Sequence, residues 1–507
     1  MVNEALDKFF ARMDELYLDV TFDDVLLQPG MSSVLPADVC LETRVTRNVP
    51  LNIPIVGADM DRVTESRLAI ALAMEGGIGI IHRNMTIEAQ ADEVDDVKFR
   101  LNKLIETPIC LRPDDTLGDL YAKMEEYDNR FSSFIITDVD GRLVGLVTRY
   151  ETKYYDQKKD SGMPLKSIMV PNPFSIDRKV DVKEAYEIMK REKRSKLIIT
   201  DNEGNVVGLY CWRDAKDIVE NENPMFNRDE RGQLRVGACI GVGEYERAER
   251  LLQKHVDIIL VGTAHGHSEK VGNTVRELKK QFTRYNFDVL AGNVATEEGA
   301  RYLAGCGADG VKVGLGPGSI CKTRIVAGVG VPQVTAAYKS VKGIMAGAPD
   351  LPICADGGLR GSGDIAKALG TGAANVMCGS LLAGTNESPG EIIVIGDRRF
   401  KDYRGMGSIS AMRDFAQSRD RYKQGSGKTV AEGEEGLVPL RGSVHEVVAE
   451  LVGGIKSGFG YVGAADMAEF HAKAMFRRQT YAGKIESQPH DIKLISEIPD
   501  SGKERGE

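Results

Sequence analysis

Short, nearly continuous apolar runs recur along the chain, separated by segments of helical spacing. The runs are NIPIVGA (52–58), GIGIIH (77–82), LRVGACIGV (234–242), VDIILVG (256–262), FDVLAGN (287–293), DGVKVGL (309–315), LPICADGG (351–358) and NVMCGS (375–380). A strand with one wet face alternates polar and apolar residues, whereas a strand buried on both faces does not. These eight runs therefore predict a parallel sheet covered by helices. Between them, stretches such as ESRLAIALAMEGG, EGARYLAGCGA and SGDIAKALGTGA place apolar residues at helical intervals. Eight alternations of strand and helix predict an α/β fold, a (β/α)8 TIM barrel, with an open doubly wound sheet as the alternative.

The interval between the second and third runs is far too long for a loop and contains a repeat. FIITDVDGRLVGLVTRYE (134–151) aligns at one constant offset with LIITDNEGNVVGLYCWRD (197–214). Two copies of one strand–turn–strand–helix unit predict a pseudo-symmetric inserted module. It resembles a tandem CBS module, which implies ATP or GTP binding, with Glu151 and Asp214 as candidate ribose ligands or as helix-capping carboxylates. The predicted division is 1–95 for the first part of the barrel, 96–225 for the tandem CBS module and 226–507 for the second part. The charged, glycine-rich stretch SRDRYKQGSGKTVAEGEEG lacks apolar periodicity and predicts a mobile flap at about 409–436, followed by a C-terminal segment.

Charge and composition narrow the functional classes. A net charge of −9 offers no general attraction to phosphate backbones, so no nucleic-acid partner is expected. Eight scattered cysteines form no C-x-x-C pair, which favours reduced thiols in a cytoplasm over disulfides or a zinc site. No apolar run is long enough to span a membrane, and MVNEALDKFFARMDEL lacks the apolar core of a signal peptide.

Barrel enzymes build their sites where strands end. The stretch GLGPGSICKTR (314–324) puts Cys321 on a glycine-rich loop beside Lys322 and Arg324, and nearby positive charge favours a thiolate. ADGG (355–358) and CGS (378–380) end the seventh and eighth strands, where phosphate commonly binds through backbone N–H groups. Asp356 is suited instead to ribose hydroxyls, and YRGMGS (403–408) adds a further glycine-rich stretch.

These motifs resemble the IMP dehydrogenase family closely. GLGPGSICKTRIVAGVGVPQ, GNVAT, ADGG, MCGSLLAGTNESPGE and YRGMGS carry the likeness, which runs from TFDDVLLQPG to ESQPHD. The resemblance implies oxidation of IMP to XMP with NAD through a covalent thioimidate on Cys321. Arg421 and Tyr422 of the flap, with Thr323 and Glu432 as an alternative relay, would then activate water. It implies substrate contacts from Ser319, Asp356, Gly357, Gly358, Gly379 and Ser380, from Tyr403, Arg404, Gly405, Met406 and Gly407, and from Glu432. Gly262, Thr263, Ala264, Gly314, Leu315 and Gly316 would face NAD. A monovalent cation, K+, would take carbonyls of Gly316, Gly318 and Cys321, completed by Glu486, Ser487 and Gln488 of a neighbouring subunit in a homotetramer or octamer.

The chain departs from the family pattern in three places. Gly262, Thr263 and Ala264 stand where the family has Asp-Ser-Ser, Gly57, Asp59 and Arg62 where it tends to have small or hydroxyl residues, and Lys322 where an uncharged residue is common. Asp59 is a candidate for the missing carboxylate. Two rival readings follow: a GMP reductase-like paralogue using NADPH, and a purine-nucleotide-binding regulator with impaired catalysis.

Overall fold

The computed structural model describes residues 3–16, 18–100, 104–106, 108–126, 133–178, 180–220, 224–345, 347–415 and 430–489. It divides into two compact units. One comprises Met1–Val97, Met225–Asn227 and Arg235–Glu507; the other comprises Lys98–Pro224 and Arg228–Leu234.

The larger unit is built on a closed barrel of eight parallel strands in sequence order. They are β1 (Ile55–Gly57), β2 (Ile78–Ile81), β3 (Gly237–Ile240), β4 (Ile258–Gly262), β5 (Asp288–Val294), β6 (Gly310–Val313), β7 (Ile353–Asp356) and β8 (Asn375–Cys378). Pairing of Val376 with Ile55 closes the ring. Seven lie within the apolar runs read from sequence, and β5 passes the end of its run by one residue, Val294. Every residue in them is buried except Asp356, the last of β7. That full burial is why the runs lack alternation. Helices fill the intervals, among them Ser66–Met74, Glu297–Gly305 and Ser362–Gly370. Parallel neighbours in register face the same side, so Gly262, Gly292 and Lys312 form one row across β4, β5 and β6. The Lys312 side chain reaches Asp59 beyond the end of β1, which identifies this row as inward-facing.

Beyond the barrel, β9 (Ile392–Ile395), β10 (Arg398–Arg404) and β11 (Glu435–Pro439) form an antiparallel sheet that the sequence reading did not anticipate. Of the expected flap at about 409–436, Ile409–Asp414 is a helix and Glu435 begins β11. Arg421 and Tyr422 lie outside the described residues.

In the smaller unit, Ser133–Thr137 pairs with Leu143–Thr148, and Lys196–Thr200 with Val206–Cys211. The two hairpins share even their irregularity: the register slips after Ile136 in one and after Ile199 in the other. Ile135, Ile198 and Leu209 form a core drawn from both repeats. Glu151 closes a capping box, accepting from Thr148 N at 2.8 Å and Thr148 Oγ1 at 2.5 Å, as its capping alternative expects. Among the described residues no helix is long and apolar enough to cross a membrane.

The N-terminal segment is tied to the barrel by Asp23, which receives Arg360 Nη1 at 2.9 Å and Lys484 Nζ at 2.7 Å. The Arg360 guanidinium, assisted by Lys484, holds this carboxyl well below the usual range. Its contribution to stability is therefore present above the unfolded value of about 3.9 and is lost as pH falls below it. Because the group is partly exposed, Asp23→Asn should lower Tm at pH 7 by only ~1–2 °C. Calorimetric scans of both proteins should show the gap narrowing below about pH 4; a gap constant with pH would contradict the assignment.

Candidate active site

At the C-terminal ends of the strands lies an open cleft with a cavity volume of about 140 Å³. Its walls come from loops that are far apart in sequence. The loop after β6 supplies Gly314, Leu315, Gly316, Gly318, Ser319, Cys321 and Thr323. β7 and β8 end in it at Asp356, Gly357 and Gly358, and at Gly379 and Ser380. Thr263 and Ala264 border it after β4, and Tyr403, Gly405, Met406 and Glu432 enter from the antiparallel sheet and its approaches.

The glycines here serve close approach. Gly314 has φ +153°, and a Cβ on it would stand 2.2 Å from the Asp356 carbonyl oxygen. A Cβ on Gly379 would stand 2.8 Å from the Tyr403 hydroxyl. The Tyr403 phenol is buried, and that burial pushes its ionisation up despite a hydrogen bond with Ser319. Tyr403 therefore acts as a neutral hydrogen-bonding group.

Cys321 is half-buried and reduced. Its thiol meets Thr323 Oγ1 at 3.3 Å, and that hydroxyl donates to Glu432 Oε2 at 2.9 Å. The line thiol–hydroxyl–carboxylate is a route by which a proton can leave sulfur. The backbone holds it in register: Lys322 N donates to Glu432 O at 2.7 Å and Glu434 N to Ile320 O at 2.8 Å. Of the two neighbouring cations, Arg324 interacts electrostatically with Cys321, as its sequence position suggests, whereas Lys322 is diverted. Lys322 Nζ pairs with Glu434 at 2.5 Å. Arg324 donates to the carbonyls of Leu315 and Val331, and burial lowers its guanidinium.

Below the rim is a buried charge network that motif reading missed. Lys312 Nζ contacts Asp59 Oδ1 at 3.0 Å, Asp356 Oδ2 at 2.7 Å and Asn293 Oδ1 at 3.2 Å. Asn293 Nδ2 also donates to Asp356 Oδ2 at 2.8 Å. Asp59 and Asp356 were each singled out from sequence, and the signal for their shared partner was a lysine inside the apolar run DGVKVGL, since a lysine is rarely buried without a counter-charge.

Other predicted residues stand elsewhere. Arg404 does not line the cleft; it donates to Asp61 Oδ2 at 2.6 Å and to Asp414 Oδ2 at 2.9 Å. Gly407 sits behind the wall, its carbonyl accepting from Glu432 N at 3.0 Å. Gly262 ends β4 just before the lining begins at Thr263, whose hydroxyl donates to Gly292 O at 3.0 Å. This chain's own Glu486, Ser487 and Gln488 end the helix Tyr481–Glu486 away from the cleft lining, with Ser487 Oγ donating to Gly483 O at 2.9 Å.

Residues 19–490 match the family model described as IMP dehydrogenase / GMP reductase domain. The inosine-5′-monophosphate dehydrogenase of Aquifex aeolicus is 48% identical, covering 95% of this chain and 97% of its own length. That of Bacillus subtilis is 44% identical, covering 95% and 97%. Among solved structures, a GMP reductase from Trypanosoma brucei in complex with guanosine 5′-monophosphate superposes with a TM-score of 0.83. It has 36% sequence identity, and the match covers 94% of this chain and 98% of that one. On fold, motifs and extended identity, the chain belongs to the IMP dehydrogenase / GMP reductase family.

Proposed function

We propose that this chain is an IMP dehydrogenase, oxidising inosine 5′-monophosphate to xanthosine 5′-monophosphate with NAD. The observation that carries the reading is the hydrogen-bonded line Cys321–Thr323–Glu432 on the wall of a cleft that also holds Asp356 and bare glycine backbone. Asp356 would accept ribose hydroxyls, and the N–H groups at Gly357, Gly358, Gly379 and Ser380 would face phosphate. With the base so held, Cys321 reacts as the thiolate, its proton already given up to solvent, and sulfur bonds to C2 of the purine. The hydrogen on C2 leaves with its electron pair, giving a thioimidate on Cys321. Water then adds at C2, the C–S bond breaks, and the product departs as the thiol is restored. Glu432, unprotonated until this step, takes the water's proton through Thr323, and sulfur departs as the thiolate that is reprotonated from solvent.

The cleft fits a nicotinamide. Ala264 and Leu315 offer apolar wall, and Gly314 and Gly316 leave backbone uncovered. NAD, when bound, supplies the acceptor for the hydride. A monovalent cation fits the loop by donor type, since Gly316, Gly318 and Cys321 offer carbonyl oxygens, the ligands hard cations take. Glu486, Ser487 and Gln488 of a second copy would complete that site in a tetramer. The smaller unit would take ATP or GTP. Eight free thiols fit a reducing cytoplasm.

The solved GMP reductase neighbour supports a second reading: reduction of guanosine 5′-monophosphate with NADPH at the same cysteine. Absorbance at the nicotinamide band separates the two. It rises on mixing enzyme with inosinate and NAD under the first reading, and falls with guanylate and NADPH under the second. Ribotide binding with neither change would mark a regulator and overturn both.

A further inference from the structure

Inside the protein the Lys312 ammonium contacts Asp59, Asp356 and Asn293. Both Lys312 and Asp59 border the floor of the cleft but are only 1% exposed. Their most exposed partner in the cleft is Asp356, which is 20% exposed and the one barrel-strand residue that is not buried. Its Oδ2 takes both Lys312 and Asn293, which leaves Oδ1 for a ribose hydroxyl.

A buried ammonium between two carboxylates divides its attraction. With Asp59 present, Asp356 keeps negative charge to offer a ligand. Without it, the whole charge of Lys312 falls on Asp356, and one ammonium proton loses its acceptor. The strand register shows where else a counter-charge could stand. Gly262 and Gly292 lie in the same inward row as Lys312. Gly292 must be bare, because a Cβ there would meet the Lys312 Cβ at 2.7 Å. Gly262, one strand further, is a position from which a carboxylate could approach the same ammonium.

We propose that Asp59 is a positioning residue for ribose recognition: it supplies, from beyond β1, the counter-charge to Lys312 that the end of β4 lacks, and so keeps Asp356 free to grip the ribose. This rests on the purine-ribotide reading of the cleft.

The test is calorimetric binding of inosine 5′-monophosphate and its 2′-deoxy analogue, without any nicotinamide, so that turnover is not needed. Wild type should prefer the ribotide by about tenfold or more, the value of one hydroxyl hydrogen bond to a charged group. In Asp59→Ala, and in Asp59→Asn, which keeps the side-chain shape, the preference should shrink to about threefold or less. In Asp59→Ala with Gly262→Asp it should return. A purely packing role for Asp59 would lower Tm but leave the ratio untouched, so a wild-type ratio in Asp59→Asn overturns the proposal. A double variant that folds yet stays indiscriminate overturns the assignment of Gly262 as the alternative locus. Failure of the wild type to bind either ribotide would instead overturn the reading of the cleft, and this inference with it.

Discussion

Cys321→Ala will bind inosine 5′-monophosphate and leave it unreacted. The sulfur forms the bond that turns the purine C2 into a hydride donor, and a methyl group cannot replace it. Loss of a covalent nucleophile typically costs ~10⁴-fold or more in kcat, which puts the variant below detection in a steady-state absorbance assay. Binding should survive, because the ribose and phosphate contacts lie on Asp356, Gly357, Gly358, Gly379 and Ser380. Tm should barely move, because the thiol is only half-buried. Cys378 makes the contrast. It is buried at the end of β8, burial pushes its thiol up to about 12, and it has no basic partner to draw its proton away. Cys378→Ala should therefore cost stability while leaving the chemistry. A Cys321→Ala protein with measurable turnover would remove the nucleophile from the account.

Glu432→Gln will slow turnover while sparing the first hydride transfer. A positioned general base contributes ~10²–10⁴-fold, and the amide keeps the Thr323 contact geometry but cannot hold a proton. In a stopped-flow trace, about one equivalent of reduced nicotinamide should form per site. Steady turnover should then be ~10²-fold slower than wild type as the thioimidate waits for water. Thr323→Val breaks the same line at its middle, where the hydroxyl lies 2.9 Å from the carboxylate, and should behave alike. If the burst vanished as well, Glu432 would be needed to take the thiol proton. Unchanged steady turnover in both variants would exclude the line from the mechanism.

The barrel was legible because its strands are buried on both faces, which leaves apolar runs of a length and spacing that few other folds produce. The antiparallel sheet was not read, although its turn chemistry was present: Gly396, at φ +59°, and Asp397 join Ile395 to Arg398. Its edge strand carries exposed Ile392, Val394 and Ile395, so it lacks the one-sided burial that marks a strand.

Adjacent residues on a strand face opposite ways. That is why Tyr403 enters the cleft while Arg404, next to it in the same motif, turns to Asp61 and Asp414. Of the cations beside Cys321, Lys322 misled for a similar reason. Lys322 finds its partner 112 residues away in Glu434, a pairing that proximity along the chain does not reveal. The Asp59–Lys312 pair spans 253 residues and shows only once the barrel has closed.

Catalysis turns on a bond between one sulfur and one carbon. Protein mixed with inosinate and NAD, quenched in acid within the first turnovers and digested, can be weighed peptide by peptide. The peptide carrying Cys321 is predicted to gain the mass of the oxidised purine ribotide, and to gain more of it in Glu432→Gln. A peptide that stays unmodified while reduced nicotinamide accumulates would contradict covalent catalysis at Cys321.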